Sequence, residues 1–270
     1  MLNNYCRLKY KILIFFMIVS SLAFSQRTKK RGFSNEIGFY GGATTFFTDF
    51  GERSYETQAK NSSFHLGVVH FFNFAYRDDY GRYTKNRWFN DHIKVRSDIF
   101  FTYIGNLRHE GGLVDQSQTS LTADQLRAMK GELGLLSLSS QIEYNPFSIR
   151  GFSDDIRNNF AIHPYIAVGV GYTAFNRNVS SSLGRINTPA TTPPEFLGGI
   201  VNGSGSEWSL LTNIGFRYKL NPMADLIVEG RWQAFFSDDV DGINDNSVNS
   251  VEHADYLLSF SIGYVYYLNF

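Results

Sequence analysis

The C-terminal segment carries an alternation of side chains that few folds can use. From Tyr256 to Phe270, every second residue is large and apolar, and the residues between them are mostly smaller and more polar. Successive side chains of a β-strand point to opposite faces, so the pattern predicts one long strand with one apolar face. Its length exceeds the roughly 5–6 residues of a typical soluble strand and suffices for the roughly 9–11 that cross a bilayer. The segment therefore favours a membrane-spanning strand.

Seven further segments show the same period-2 alternation, which makes eight predicted strands. An even number of strands is typical of a bacterial up-and-down membrane barrel. We therefore predict an all-β fold, an eight-stranded antiparallel up-and-down transmembrane β-barrel. A short helical pattern capped at Ser120 or Thr122 is expected inside an external connection. The predicted strands are 34–48, 62–76, 92–104, 132–147, 160–176, 207–220, 224–236 and 256–270.

Charged residues in several strands lie on the face opposite the large apolar residues. A water-soluble barrel would turn its apolar face inward, and the alternation alone does not separate the two cases, so strand length decides for the membrane. The interior of an eight-stranded barrel is just wide enough for side chains. We therefore predict a lumen filled by an ion-pair network without a pore, formed by Lys94, Arg96, Asp98, Glu143, Arg217, Glu229 and Arg231.

The N-terminal residues have the pattern of a secretory signal peptide. Basic residues precede an apolar run from Ile12 to Val19, and the small residues Ala23 and Ser25 stand at the −3 and −1 positions of a cut before Gln26. We predict a signal peptide over residues 1–25 and a single outer-membrane β-barrel domain over 26–270. Both termini of the mature chain are expected in the periplasm.

Charge and cysteine content exclude several classes of function. The whole chain has 25 basic and 25 acidic residues, and loss of the signal peptide leaves a net charge of about −3, so no nucleic-acid partner is predicted. The only cysteine, Cys6, lies in the predicted signal peptide, so the mature chain has neither disulfides nor thiol chemistry.

No catalytic motif emerges from the remaining chemistry. The six histidines are scattered, and neither a zinc-protease spacing nor a serine nucleophile elbow is present. A pairing of His253 with nearby acidic residues at the barrel mouth would need further acids from other loops. We predict a protein that is not an enzyme and has no cofactor.

An acidic segment between the last two predicted strands offers oxygen ligands at alternating positions. A hard cation such as calcium uses such ligands, but the distal glutamate of an EF-hand loop is not at its position. We predict no metal site, and Asp239, Asp241 and Asn244 remain a calcium candidate against the alternative of a solvated external loop.

The segment 77–91 combines cations with aromatic residues, a composition enriched at interface hot spots. On the predicted topology it faces the periplasm. Arg82, Tyr83, Arg87 and Trp88 are therefore candidates for docking a periplasmic partner. The alternative is a basic turn that rests against anionic lipid headgroups.

Several stretches carry a family resemblance. Residues 35–44 with Asp49-Phe50-Gly51, and later Leu138–Phe147, His163–Phe175 and Gly230–Gly242, resemble the PorG-like family of Bacteroidetes outer-membrane barrels. The resemblance implies a small plugged barrel of the type IX secretion and gliding machinery that docks a periplasmic ring lipoprotein rather than transporting a solute. The aromatic C-terminal residue, Phe270, is similar to the last residue of substrates of the barrel assembly machinery.

Two functions follow from these patterns. The first is a non-enzymatic anchor in the outer membrane of a Gram-negative bacterium, surrounded by outer-membrane lipids and docked to periplasmic partners. The alternative is a surface ligand-binding or adhesion barrel that acts through its long external loops. An outer-membrane hydrolase is a third hypothesis.

Overall fold

A computed structural model describes residues 34–50, 59–74, 87–149, 152, 162–221, 223–237, 240–243 and 255–268. The predicted signal peptide lies outside these residues. So do five residues of the predicted sites, namely Arg82, Tyr83, Asp239, Asn244 and Phe270. Arg87 is described by its backbone alone.

Eight strands form one closed antiparallel barrel in which each strand pairs with its neighbours in sequence and β1 pairs with β8. The predicted fold class is therefore confirmed. The strands are β1 (Ser34–Phe47), β2 (Ser62–Asn73), β3 (Ile93–Arg108), β4 (Met129–Tyr144), β5 (Ile162–Ser181), β6 (Gly203–Asn221), β7 (Ala224–Phe235) and β8 (Tyr256–Leu268).

Burial follows the sequence alternation closely. Along β4, buried residues alternate with more exposed ones from Met129 to Tyr144. The buried set includes Ser137, Ser139, Gln141 and Glu143, whereas the exposed set includes large apolar side chains. The polar face therefore lines the lumen and the apolar face covers the outside, which is the arrangement of a membrane barrel. None of the helices in the described part of the chain is long and apolar enough to span a membrane.

The barrel extends further at one end than the sequence predicts. β5 continues to Ser181 and pairs with β4 as far as Met129, although Ser, Asn and Arg residues there resemble an exposed loop. The predicted helix begins at Leu121 and is capped by Ser120, whose side chain accepts a hydrogen bond from the Ala123 amide. It ends at Ala128, because Met129 is already extended and begins β4.

The barrel has two ends that carry different connections. The terminal end carries the start of β1, the end of β8, helix α1 (Arg87–His92) and the short connection between β6 and β7. The loop end carries the connections β1–β2, β3–β4, β5–β6 and β7–β8, including helix α2 (Leu121–Ala128). All four connections at the loop end are long, whereas the terminal end has two long connections and one short one, and only the β6–β7 connection is as short as a periplasmic hairpin usually is.

Candidate functional site: a filled lumen and a packed external cap

The terminal half of the lumen is organised around Glu36. This carboxylate accepts hydrogen bonds from Lys94 Nζ at 2.8 Å and from Arg217 Nη1 at 2.5 Å. The Arg217 guanidinium also lies 3.6 Å from Glu143 and 3.5 Å from Asp225. Three strands, β1, β3 and β6, therefore meet at one carboxylate.

A second layer of charge lies nearer the middle of the barrel. Arg96 donates to both oxygens of Glu229, at 2.7 and 3.2 Å, and Tyr165 donates to the same carboxylate at 2.8 Å. Arg231 donates to Asp98, which also accepts from Ser139 at 2.7 Å and from Gln141 at 3.1 Å. Arginine and carboxylate pair in a fork geometry that gives strong, directional bonds.

All seven residues predicted for the lumen are buried there, and the structure brings them into these two layers. Three further charged residues that the predicted network did not include, Glu36, Lys219 and Asp225, are also buried in the lumen, and Lys219 lies 3.1 Å from Asp225. Glu36 lies four residues from the buried Tyr40 on the same strand, so both side chains point to the same face. The alternation in the sequence therefore predicts that Glu36 points inward. With these additions, five cations face five carboxylates within these two layers, so the formal charges of the layers balance.

The loop end is closed by a cap of buried side chains from its four connections. One apolar cluster joins buried residues of these connections to the barrel wall near the loop end, and it includes Phe50, Ile200, Val240 and Ile243. The β3–β4 connection adds His109, whose ring lies 5.0 Å from Phe50 and 6.1 Å from Phe196. Among the described residues, this apolar cluster lies over the charged layers of the lumen.

Polar contacts tie the cap's connections to one another. The Asp49 amide donates to Asp241 at 3.1 Å, and the Val201 amide donates to the Gly242 carbonyl at 2.9 Å. Gln125 of α2 donates to the Pro189 carbonyl at 2.8 Å. The long connections therefore form one structure rather than four separate loops.

The calcium candidate is described only at Asp241. Its carboxylate is buried and accepts backbone amides from Asp49 and Ile243. Among the described residues, no group of three or more His, Cys, Asp or Glu side chains could hold a metal. In the described part of the chain, Asp241 thus joins two connections of the cap.

Of the docking candidates, Trp88 is the one with a described side chain. Its ring stacks on His92 at 5.0 Å and lies 6.1 Å from Tyr144, an outward-facing residue of β4. Trp88 is 61% exposed, and Phe89 beside it is 44% exposed. Helix α1 therefore presents aromatic rings at the terminal rim of the outer surface, and aromatic residues are enriched where membrane proteins meet the membrane–water interface.

The apolar outside and the lumen filled with polar and charged side chains together define a β-barrel of the outer-membrane type. The barrel is similar to Neisserial surface protein A (TM-score 0.45, 13% identity, covering 87% of this chain and 98% of that one). It is also similar to Pseudomonas aeruginosa OprG (0.38, 18%, 90% and 98%) and to Ail, the attachment invasion locus protein of Yersinia pestis (0.39, 12%, 89% and 100%). No protein-family model matches the chain, and no curated protein matches it significantly.

Proposed function

We propose that this protein is a non-enzymatic outer-membrane barrel that anchors a periplasmic component of the type IX protein secretion machinery. The filled, neutral lumen carries the proposal. A barrel whose interior is occupied by paired charges and whose mouth is capped has no path for a solute, so its function lies at its two ends.

The outer surface supports a place in a lipid bilayer. Large apolar side chains such as Ile142, Ile214 and Phe260 are more than half exposed to the outside of the barrel. Exposed tyrosines and tryptophans lie nearer the ends, with Tyr144, Tyr218 and Tyr266 toward the terminal end. This order, an apolar belt flanked by aromatic residues, is that of an outer-membrane barrel in contact with lipid.

The terminal end supplies the proposed docking surface. Trp88, Phe89 and Phe147 are exposed there. Aromatic side chains are enriched at the centres of protein interfaces. On the proposed orientation this end faces the periplasm, with both chain termini, and Phe270 is the residue that the barrel assembly machinery recognises. The partner we propose is a periplasmic ring lipoprotein, as the PorG-like sequence resemblance implies.

The test is co-purification from cross-linked outer membranes. We expect Trp88→Ala with Phe147→Ala to reduce recovery of the periplasmic lipoprotein at least several-fold, while barrel abundance and heat-modifiable migration stay unchanged. The matched control is Trp208→Ala with Phe236→Ala, which removes two comparably exposed aromatic residues at the loop end. Equal recovery from both double variants would contradict docking at the terminal end.

A second candidate function, ligand binding at the cell surface, is favoured by one observation. The four connections of the loop end pack into a cap with its own apolar cluster and hydrogen bonds. A fixed surface of this kind suits recognition better than mobile loops, because less conformational entropy is lost on binding. A panel of soluble surface ligands tested against the purified barrel would detect this function independently of secretion.

A further inference from the structure

We propose that the β5–β6 connection carries a binding pocket for an acidic sugar on the outside of the cap. This inference rests on the second candidate function, surface ligand binding. The connection encloses a cavity of about 490 Å³, which is within the range of roughly 300–1,000 Å³ for small-molecule sites. The cavity is lined by Arg185, Ile186, Asn187, Thr188, Ile200 and Asn202.

Asn187 holds the two sides of the connection together. Its φ angle of 59° is in the left-handed region, where a non-glycine residue needs compensating contacts. Those contacts are present: its side-chain amide donates to the Ile200 carbonyl at 2.8 Å and accepts from the Gly198 amide at 3.2 Å. Its own backbone amide donates to Thr192 Oγ1 at 3.0 Å. The pocket wall is therefore fixed before any ligand binds.

The remaining lining residues are fixed as well. The hydroxyls of Thr188 and Thr191 both donate to the Arg185 carbonyl, at 3.1 and 2.7 Å. Asn202 is bonded to Val179 near the end of β5. Its side chain accepts a hydrogen bond from the Val179 amide at 2.7 Å and donates one to the Val179 carbonyl at 2.9 Å. The backbone of Arg185 is thus held while its guanidinium stays at the surface.

The charge of the pocket comes from Arg185. It is the only ionisable residue among the lining residues, and within the described chain its guanidinium has neither a hydrogen-bond acceptor nor a carboxylate partner. A guanidinium presents N–H donors in a planar fork that matches the two oxygens of a carboxylate. The ligand is therefore expected to carry a carboxylate.

The rest of the lining points to a sugar ring. Ile186 and Ile200 offer apolar contact for the C–H face of a ring. The exposed side chains of Asn187 and Asn202 keep hydrogen-bonding capacity for hydroxyl groups, since each amide nitrogen has two protons and each oxygen two lone pairs. A purely apolar chain would not use the remaining hydrogen-bonding capacity of these amides. A sugar with a carboxylate, a uronic acid, meets all three features.

The experiment measures binding of defined trisaccharides to the full-length mature barrel in detergent by calorimetry. The probes are trigalacturonate, which is acidic, and maltotriose, which is neutral. We expect trigalacturonate to bind and the Arg185→Gln variant to weaken its Kd by about tenfold or more, as loss of a charged hydrogen bond does. The matched control is Lys130→Gln, which removes one exposed cation from the same end of the barrel.

Three results would overturn the inference, and each has a separate meaning. Equal weakening by Arg185→Gln and Lys130→Gln would show general charge attraction without a pocket. Equal affinity for maltotriose, insensitive to Arg185, would leave surface binding in place and remove the acidic-sugar site. Absence of trigalacturonate binding to the unaltered barrel, with heat-modifiable migration intact, would refute the pocket while the anchor function is tested separately by co-purification.

Discussion

The Arg96 guanidinium spans the lumen from β3 to β7 and donates to both carboxylate oxygens of Glu229, at 2.7 and 3.2 Å. Both side chains are buried. The two strands are not neighbours in the barrel, so this pair links opposite walls through the interior. Such a pair stabilises the barrel only while both members are present, because either charge alone would be left uncompensated in a low-dielectric interior.

The first prediction concerns this pair. Glu229→Gln should reduce the free energy of unfolding by about 3–5 kcal/mol, because Arg96 loses its main partner while remaining buried. The double variant Arg96→Met with Glu229→Gln should regain part of that loss. Urea unfolding in detergent micelles measures both, with the exposed pair Lys60–Glu110 as a control expected to contribute at most about 1 kcal/mol. Additive losses in the double variant would contradict coupling across the lumen.

The second prediction separates two strand glycines. A Cβ at Gly42 would lie 1.9 Å from the Phe260 carbonyl oxygen, so the two strands could not keep their spacing. A Cβ at Gly230 would meet its nearest heavy atom at 4.0 Å. Gly42→Ala should therefore prevent a normal heat-modifiable barrel from forming, whereas Gly230→Ala should fold with unchanged yield. Normal folding of both variants would show that the β1–β8 contact is looser than described.

The strand alternation made most of the barrel predictable. On β8 the outer face consists of large apolar residues throughout, and both β4 and β8 were placed to within a few residues. The predicted strands did not include the loop-end parts of β5 and β6, because the Ser, Asn and Gly residues there resemble a loop. Their strand conformation comes from pairing across the sheet, for example Arg177 with Gly203, and such long-range pairing leaves no local signal.

The lumen was more predictable than the cap. The period-2 alternation was enough to predict that the seven ionic residues point into the lumen, since each lies on the polar face of its strand. The cap joins Phe50, His109, Ile200 and Val240 from four separate connections. Contacts between distant segments of irregular structure follow no period in the sequence. No local pattern therefore predicts which of these residues meet in the cap.

The third prediction tests which face meets lipid. Ile262 is 53% exposed on the outside of β8, and Ile262→Arg should cost about 2–4 kcal/mol if the residue lies near the bilayer midplane. Its neighbour Ser261 faces inward and its hydroxyl lies 2.8 Å from His65 Nε2. Ser261→Ala should cost about 1 kcal/mol from the lost hydrogen bond. Unfolding in lipid vesicles of two thicknesses should alter the first cost and leave the second unchanged.

The fourth prediction is the absence of conductance. The purified barrel in planar bilayers should show no sustained channel, because paired charges fill the lumen and the cap closes the loop end. Steady, size-selective conductance of the unaltered barrel would place the protein among porins instead.

The last prediction concerns the pH dependence of the cap. His109 is buried against Phe50 and Phe196, and burial lowers its pKa to about 4 from an ordinary value of 6.5. The unfolded cap binds a proton more readily than the folded cap, so the stability contributed by neutral His109 is fully present above pH 6.5. This contribution to stability falls between pH 6.5 and 4, by roughly 3 kcal/mol at most.

An NMR titration of the imidazole should give the lowered pKa, and backbone amides of residues 196–200 should lose protection from exchange as the pH falls toward 4. The variant His109→Leu keeps an apolar side chain in the cap and should remove that pH dependence. A titration near 6.5 in the folded protein would show that the ring is solvated and that the cap opens readily.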